Sequence, residues 1–369
     1  IFRILNALDI KVKEKGKNII VSVPRYRTDV TRESDIVEEI LRIYGYNKIK
    51  ISDINSSSFL SRESNSSIMN NYLSKVMNLL VGNGFNEITT NSLTSSRHRN
   101  NNFWNDEFTI EMVNKLSDEH AILKQNLLFT GLESIKYNIN RKQNNLKFFE
   151  FDKTYNKIDG EINENRKIGI YMSGLSNEEH FSSKSKIISF FDIYNTINKI
   201  MIQANILNYK TMAGKSKILD ECVELEIDKK TICTIGKVKK ELLNYFEINQ
   251  DVYFAEIEWN NFINNLDNDL KYIKISKYPE VKRDLSIVLD KKKSYNDILE
   301  IIGKNDKIIK NISLYDVYEG KNIGKNNKAY ALRFVLQEKN KTLDDKIINS
   351  IMSNLIKEFE KKLNAEIRK

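Results

Sequence analysis

The run from Val23 to Tyr46, "VPRYRTDVTRESDIVEEILRIYGY", constrains this chain more than any other stretch, because it demands a strand that feeds an amphipathic, acidic helix. Pro24 closes a β-rich run, Thr31 and Ser34 offer helix-start hydroxyls, and Gly45 stands where the helix would stop in a left-handed cap. At about 100° per residue, Ile36, Val37, Ile40, Leu41, Ile43 and Tyr44 share the side meant for a core, and Asp35, Glu38, Glu39 and Arg42 share the other. Asp29 just upstream completes a D-x5-D-x2-E-E spacing. Carboxylates crowded to ~5 Å repel by about 3 kcal/mol per pair at an effective dielectric of ~20, so such a cluster wants a cation. Mg²⁺, which prefers oxygen ligands and keeps several waters, suits a partial cage of acids at a surface or interface. An ordinary solvent-facing acidic face near the positive end of a helix gives the same spacing.

With 369 residues and 40% hydrophobic content, the chain can bury two or three domain cores. No apolar run approaches the 18 or so residues of a membrane span, and no secretory signal opens the chain, so a cytoplasmic location is expected. The chain begins at Ile1, inside a helical pattern, which reads as the C-terminal part of something longer. Cys222 and Cys233 form no C-x-x-C, and His98, His120 and His180 share no ligand spacing with them, so neither a disulfide framework nor a zinc site is expected. Both cysteines lie in alternating apolar segments and read as small buried hydrophobes. Of the net charge of +9, a surplus of seven comes from residues 276–369, which hold 21 Lys+Arg against 14 Asp+Glu. A polyanion such as RNA is one partner this asymmetry fits, and a lysine-biased surface is the plainer explanation.

Three segments follow. Residues 1–52 read as a helix end, a hairpin with alternating Ile10/Val12 and Ile19/Val21/Val23 around Lys15-Gly16, and the acidic helix, with Ser52–Ser67 as a polar linker. Residues 53–275 open on a helical stripe of Ile68, Tyr72, Leu73, Val76, Leu79 and Leu80, stopped by Gly82-Asn83-Gly84-Phe85 before a strand at 86–90. Residues 276–369 read as strand (283–290), helix capped by Ser294, strand (312–318), strand (328–337), long helix capped by Thr342, and a closing strand (365–368). That order, βαββαβ, is the ferredoxin-like split. The fold class expected is therefore α+β.

The stretch "VPRYRTDVTRESDIVEEILRIYGYNKI" resembles the metal-binding helical domain of the bacterial phenylalanyl-tRNA synthetase β-subunit family, with its P-x-x-R-x-D-I and D-L-x-E-E-x-x-R-x-x-G-Y-D-x-I pattern. The resemblance implies Mg²⁺ ligands at Asp29, Asp35, Glu38 and Glu39, in a site shared with a catalytic α subunit. The helix, Gly-Phe turn and strand of 64–90 resemble the first motif of class II aminoacyl-tRNA synthetases. "LKQNLLFTGLESIKYNINRKQNNLKFFEFDKTY" is similar to the family's L-R-x-S-L-L-P-G-L-L and F-E-I-G run, with Lys124 and Asn126 replacing Arg and Ser. "FFDIYNTINKIM" and "YFAEIEWNNF" occupy two further family segments. "YPEVKRDLSIVLD", "LYDVYEGKNIGKNNKAYALRFVLQ" and "LNAEIRK" resemble its ferredoxin-fold anticodon-binding domain.

A working class II site needs an arginine in an F-R-x-E strand and a second in a Gly-rich strand-helix. Here Phe149-Glu150-Phe151 lacks the first, and 220–260 has only the isolated Gly236. The glycines of 320–325 are four apart, so that run reads as a hairpin turn rather than a phosphate loop. The resemblance thus implies a partial metal-binding helical domain (1–52), a degenerate class II synthetase-like antiparallel sheet core without its chemistry (53–275) and the anticodon-binding domain (276–369). It further implies ATP-dependent activation of phenylalanine, with ATP a substrate of the complex. Its partners would be tRNA(Phe) and the α subunit, in a heterotetramer of two α and two β chains, with no membrane or DNA partner. The family's N-terminal tRNA-binding and editing domains are not in this sequence, and no editing by it is expected. Lys282, Arg283, Lys321, Lys325, Lys328 and Arg333 are the candidates for tRNA contact. Tyr330 and Phe334 alternate with leucines on one strand face and read as core rather than as base-stacking rings. A free-standing RNA-binding protein built on the same basic domain is the alternative.

Overall fold

The chain divides into two compact units, Ile1–Asn268 and Asp269–Lys369. A computed structural model describes residues 1–16, 18–50, 65–178, 180–266, 272, 274–302, 308–324 and 326–368. The first unit opens with α1 (Phe2–Ala7), the hairpin β1 (Lys11–Lys15) and β2 (Asn18–Ser22), and α2 (Glu33–Tyr44). Gly16, at φ +63°, makes the hairpin turn. The start of α2 differs from the expectation drawn from its hydroxyls: Arg32 is the N-cap residue. The carboxylate of Asp35 accepts the backbone N–H groups of Thr31 (2.8 Å) and Arg32 (2.7 Å). A charged acceptor is the stronger partner for those orphan donors. Gly45 does end the helix, but at φ 100°, ψ 117°, outside the left-handed helical region. The expected core face is only partly covered. Ile36, Ile40 and Leu41 are half-buried, while Val37, Ile43 and Tyr44 are exposed.

The unit continues with α3 (Asn65–Gly82), β3 (Asn86–Glu87), the short pair β4 (Leu93–Thr94) and β5 (Ile122–Leu123), α4 (Leu128–Ile139), β6 (Leu146–Ile158) and β7 (Glu161–Ser173). Then come a second short pair, β8 (Leu175–Asn177) and β9 (Lys186–Ile187), α5 (Phe190–Gln203), β10 (Lys210–Ala213), β11 (Leu219–Ile227), β12 (Lys230–Val238), α6 (Lys240–Tyr245), β13 (Val252–Glu258) and α7 (Trp259–Asn264). Most of the expected linker, 52–64, lies outside the described residues, whereas Ser67 already belongs to α3. One sheet runs β10-β11-β12-β13-β7-β6-β3. It is antiparallel, as expected of this core, except at its edge, where the two-residue β3 pairs parallel with β6.

Both faces of this sheet are buried, which explains why β6 carries adjacent phenylalanines instead of a polar alternation. Phe149, Ile168, Ile170, Ala255 and Ile257 face one way, under Val76 and Leu80 of α3, Ile193, Ile197 and Ile200 of α5, and Trp259 and Phe262 of α7. Phe148, Tyr171 and Phe254 face the other way, under Leu128, Leu132 and Ile135 of α4 and Leu242 and Leu243 of α6. Cys222 and Cys233 are free and buried, as their alternation suggests.

The second unit is β14 (Val281–Asp290), α8 (Tyr295–Ile302), β15 (Ile309–Tyr318), β16 (Asn327–Leu336), α9 (Asp345–Leu363) and β17 (Glu366–Arg368), with sheet order β15-β16-β14-β17, all antiparallel. The expected βαββαβ order is therefore present. Ser294 caps α8 as expected: its hydroxyl accepts the Asp297 N–H, and Asp297 accepts the Ser294 N–H at 2.7 Å. Thr342 does not cap α9, whose N-cap residue is Asp344. Tyr330, Leu332, Phe334 and Leu336 of β16 are buried beneath Ile351, Leu355 and Phe359 of α9.

Candidate functional site

The acids at the start of the chain are gathered by arginine. Arg27 lies between Asp29 and Glu39, with its Nη2 2.7 Å from Asp29 Oδ2 and 2.9 Å from Glu39 Oε1. Arg42 reaches the other Glu39 oxygen at 2.6 Å. Each carboxyl is held below its usual range. For Asp29 the cause is the Arg27 hydrogen bond; for Glu39 it is Arg42 and then Arg27; for Asp35 it is the N–H groups of Thr31 and Arg32. Glu38 is exposed one position away. The donor oxygens are of the hard kind Mg²⁺ takes. As oriented here they do not converge, and among the described residues no three His, Cys, Asp or Glu side chains are grouped to hold an ion. The repulsion inferred from spacing is answered within this chain by two guanidinium groups.

In the middle of the large sheet the chemistry is buried and charged. Lys124, which stands where the family pattern has Arg, is fully buried, and its ammonium is 2.7 Å from Asp152 and 3.4 Å from Glu150 on β6. Across Gly169 of β7, Glu150 is matched by Glu256 of β13. Lys167 bridges Glu256 (2.8 Å) and Glu258 (2.7 Å). Burial works against the Lys167 charge, but the two carboxylates outweigh it and its pKa is raised. Tyr171 lies over the glycine and donates to Leu127 O at 2.6 Å. Burial first, then Glu150 and Glu256, push its phenol well above the ordinary value. Thus the carboxylate of Glu150, within Phe149-Glu150-Phe151, is bonded internally.

In the second unit, strand register separates the six basic candidates. Lys282 opposes Val335 at one end of the β14–β16 ladder, and Lys328 opposes Leu289 near the other. Seven residues at ~3.3 Å each put them about 23 Å apart. Arg283 and Lys328 are on the core side of their strands, beyond its buried centre: Arg283 pairs with Asp345 at 3.2 Å, and the Lys328 ammonium lies 5.1 Å from the centre of the Tyr330 ring. Lys282 is exposed on the open face, where Arg333 makes two 2.8 Å hydrogen bonds to Asp284. Lys321 is in the turn Lys321–Ile323, and Lys325 lies outside the described residues. Sequence reasoning missed Tyr315, 55% exposed, whose ring centre is 5.1 Å from the Arg333 guanidinium. Tyr315 alternates with the core-facing Ile312 and Leu314, so the outward side of the strand was legible, while the register shift between Leu314 and Asp316 beside it was not.

Three family profiles match in succession: "tRNA synthetase B5 domain" over residues 1–46, "Phenylalanyl tRNA synthetase beta chain CLM domain" over 36–259, and "Ferredoxin-fold anticodon binding domain" over 276–368. The chain is 34% identical over 381 residues to the phenylalanine–tRNA ligase β subunit of Bacteroides fragilis and 35% identical over 381 residues to that of Porphyromonas gingivalis, in each case across 99% of this chain and 46% of the relative. To the Fusobacterium nucleatum β subunit it is 31% identical over 376 residues, across 100% and 46%. The chain therefore spans less than half the length of these relatives. A pyrrolysyl-tRNA synthetase from Desulfitobacterium hafniense aligns at TM-score 0.43 and 11% identity, over 56% of this chain and 75% of its own.

Proposed function

Because this chain belongs to the phenylalanyl-tRNA synthetase β-chain family, we propose that it works as the C-terminal portion of a phenylalanine–tRNA ligase β subunit. The reaction is ATP + L-phenylalanine + tRNA(Phe) to AMP + diphosphate + L-phenylalanyl-tRNA(Phe). In this reading a partner α subunit performs the chemistry, in a cytoplasmic heterotetramer, and residues 1–52, 53–275 and 276–369 supply a metal-binding part, an interface built on an inactive class II-like core, and a tRNA-holding domain. The observation that carries the reading is the succession of three matched family modules in one chain. The internally bonded Glu150 supports the inactive core.

Asp29, Asp35, Glu38 and Glu39 are the proposed Mg²⁺ ligands. In this chain alone Arg27 and Arg42 engage two of them and a helix cap engages a third, so ion binding requires donors from the partner and release of the arginines. For tRNA, the open face of the second unit is favoured over its ends, because Lys282, Arg333 and the exposed Tyr315 ring share it. Exposed rings stack on unpaired bases, and lysines meet phosphates.

The deciding experiment is to co-express the chain with a candidate α subunit and measure phenylalanylation by the complex and by each chain alone. Activity is expected only in the complex. Activity of this chain alone, or failure to associate while still binding RNA, would overturn the reading.

A further inference from the structure

Lys124 lies between β5 and α4, and its ammonium is fully enclosed. Three oxygens surround it: Asp152 Oδ2 at 2.7 Å, Thr90 Oγ1 at 2.9 Å and Glu150 Oε1 at 3.4 Å. Thr90 is held in turn, donating its backbone N–H and its hydroxyl to Glu150 Oε1 at 2.7 Å each. The second Glu150 oxygen is buried with no hydrogen-bond partner. A primary ammonium has three protons for three acceptors, whereas a guanidinium spreads its donors in a plane. The buried Glu150 carboxylate, with the partly exposed Asp152 beside it, needs a cation of this kind, since a buried charge without a partner is strongly unfavourable.

We propose that Thr90, Glu150 and Asp152 form a primary-ammonium site that the chain fills with its own Lys124, so this site on β6, next to the edge strand β3, is closed to outside ligands while that side chain is present. Tethering makes the internal ammonium a far better competitor than a free amine, so the unaltered chain takes up no added amine there. Truncating Lys124 to Ala removes three carbons and the nitrogen, the outline of n-propylammonium.

The test is thermal unfolding of the 369-residue chain carrying Lys124→Ala. The melting temperature of the first unit is expected to fall by roughly 10 °C, the shift that accompanies breaking a buried ion pair. n-Propylammonium should recover most of it saturably, while tetramethylammonium and sodium at equal ionic strength should not. The unaltered chain should respond to none of the three. If Lys124→Ala is insoluble, refolding with n-propylammonium is expected to restore soluble protein and refolding with tetramethylammonium is not. The double variant Lys124→Ala/Glu150→Gln should lose the selective response. Equal effects of all three ions, no recovery by any, or selectivity that survives Glu150→Gln would overturn the proposal. None of these readouts involves tRNA or a partner chain, so the result is independent of the ligase reading.

Discussion

Asp35 is a helix cap as well as a proposed metal ligand, and the two roles must be separated before any loss of activity is assigned. Asp35→Ala is expected to lower the thermal midpoint by circular dichroism even without metal, because it frees the Thr31 and Arg32 N–H groups. Glu38→Gln, at an exposed position, should leave the midpoint unchanged and lower activity in the complex only if the ion is real. Gly131 is a second informative residue: a Cβ there would lie 2.2 Å from the Tyr171 ring. Gly131→Ala is therefore expected to cost about 3 kcal/mol in denaturant unfolding, at the upper end of overpacking penalties. An unchanged midpoint would mean that Tyr171 can move aside. Gly131 was legible only as a member of a family pattern, since its neighbour Tyr171 is 40 residues further along.

Among the elements, α5 carries its own acid sensor. The Asp192 carboxylate accepts the Ser189 backbone N–H at 2.7 Å and its hydroxyl at 2.6 Å. Burial pushes its pKa up, but the bonds from Ser189 and the contact with Lys186 outweigh that and leave it below the ordinary 3.8. A depressed carboxyl contributes stability above its unfolded pKa and loses it as pH falls through the folded value. Asp192→Asn should therefore flatten the stability profile below about pH 4 and hardly alter its shape above pH 5, as read by unfolding midpoints across pH. In the second unit, the split of basic residues by register predicts different salt behaviour at two sites on one face. Lys282→Ala should weaken tRNA binding and reduce the salt slope by about 1, whereas Tyr315→Ala should weaken it with the slope unchanged. Equal slopes for both variants would argue against the open face. Element types were readable here because periodicity is local. The bulge that accompanies the outward Tyr315 depends on the neighbouring strand and was not.

At the scale of the whole molecule, the core of the second unit, among the described residues, is built from positions 281 to 367. Residues 276–369 expressed alone are therefore expected to fold and melt cooperatively, and a featureless melt would show that they need the rest of the chain. By itself the sequence determined the acidic helix, the helix, turn and strand of 64–90, the ferredoxin-like order, the buried cysteines and the family. All of these follow from spacing along the chain or from motifs of adjacent residues. The tertiary structure decided the partners of the charges. Arg27 lies between Asp29 and Glu39 in this chain, and Lys124 turns inward to residues 34 positions before it and 26 positions after it. The physical reason is that desolvation and pairing depend on distance in space, which folding sets between residues whose separation in the chain carries no trace of it.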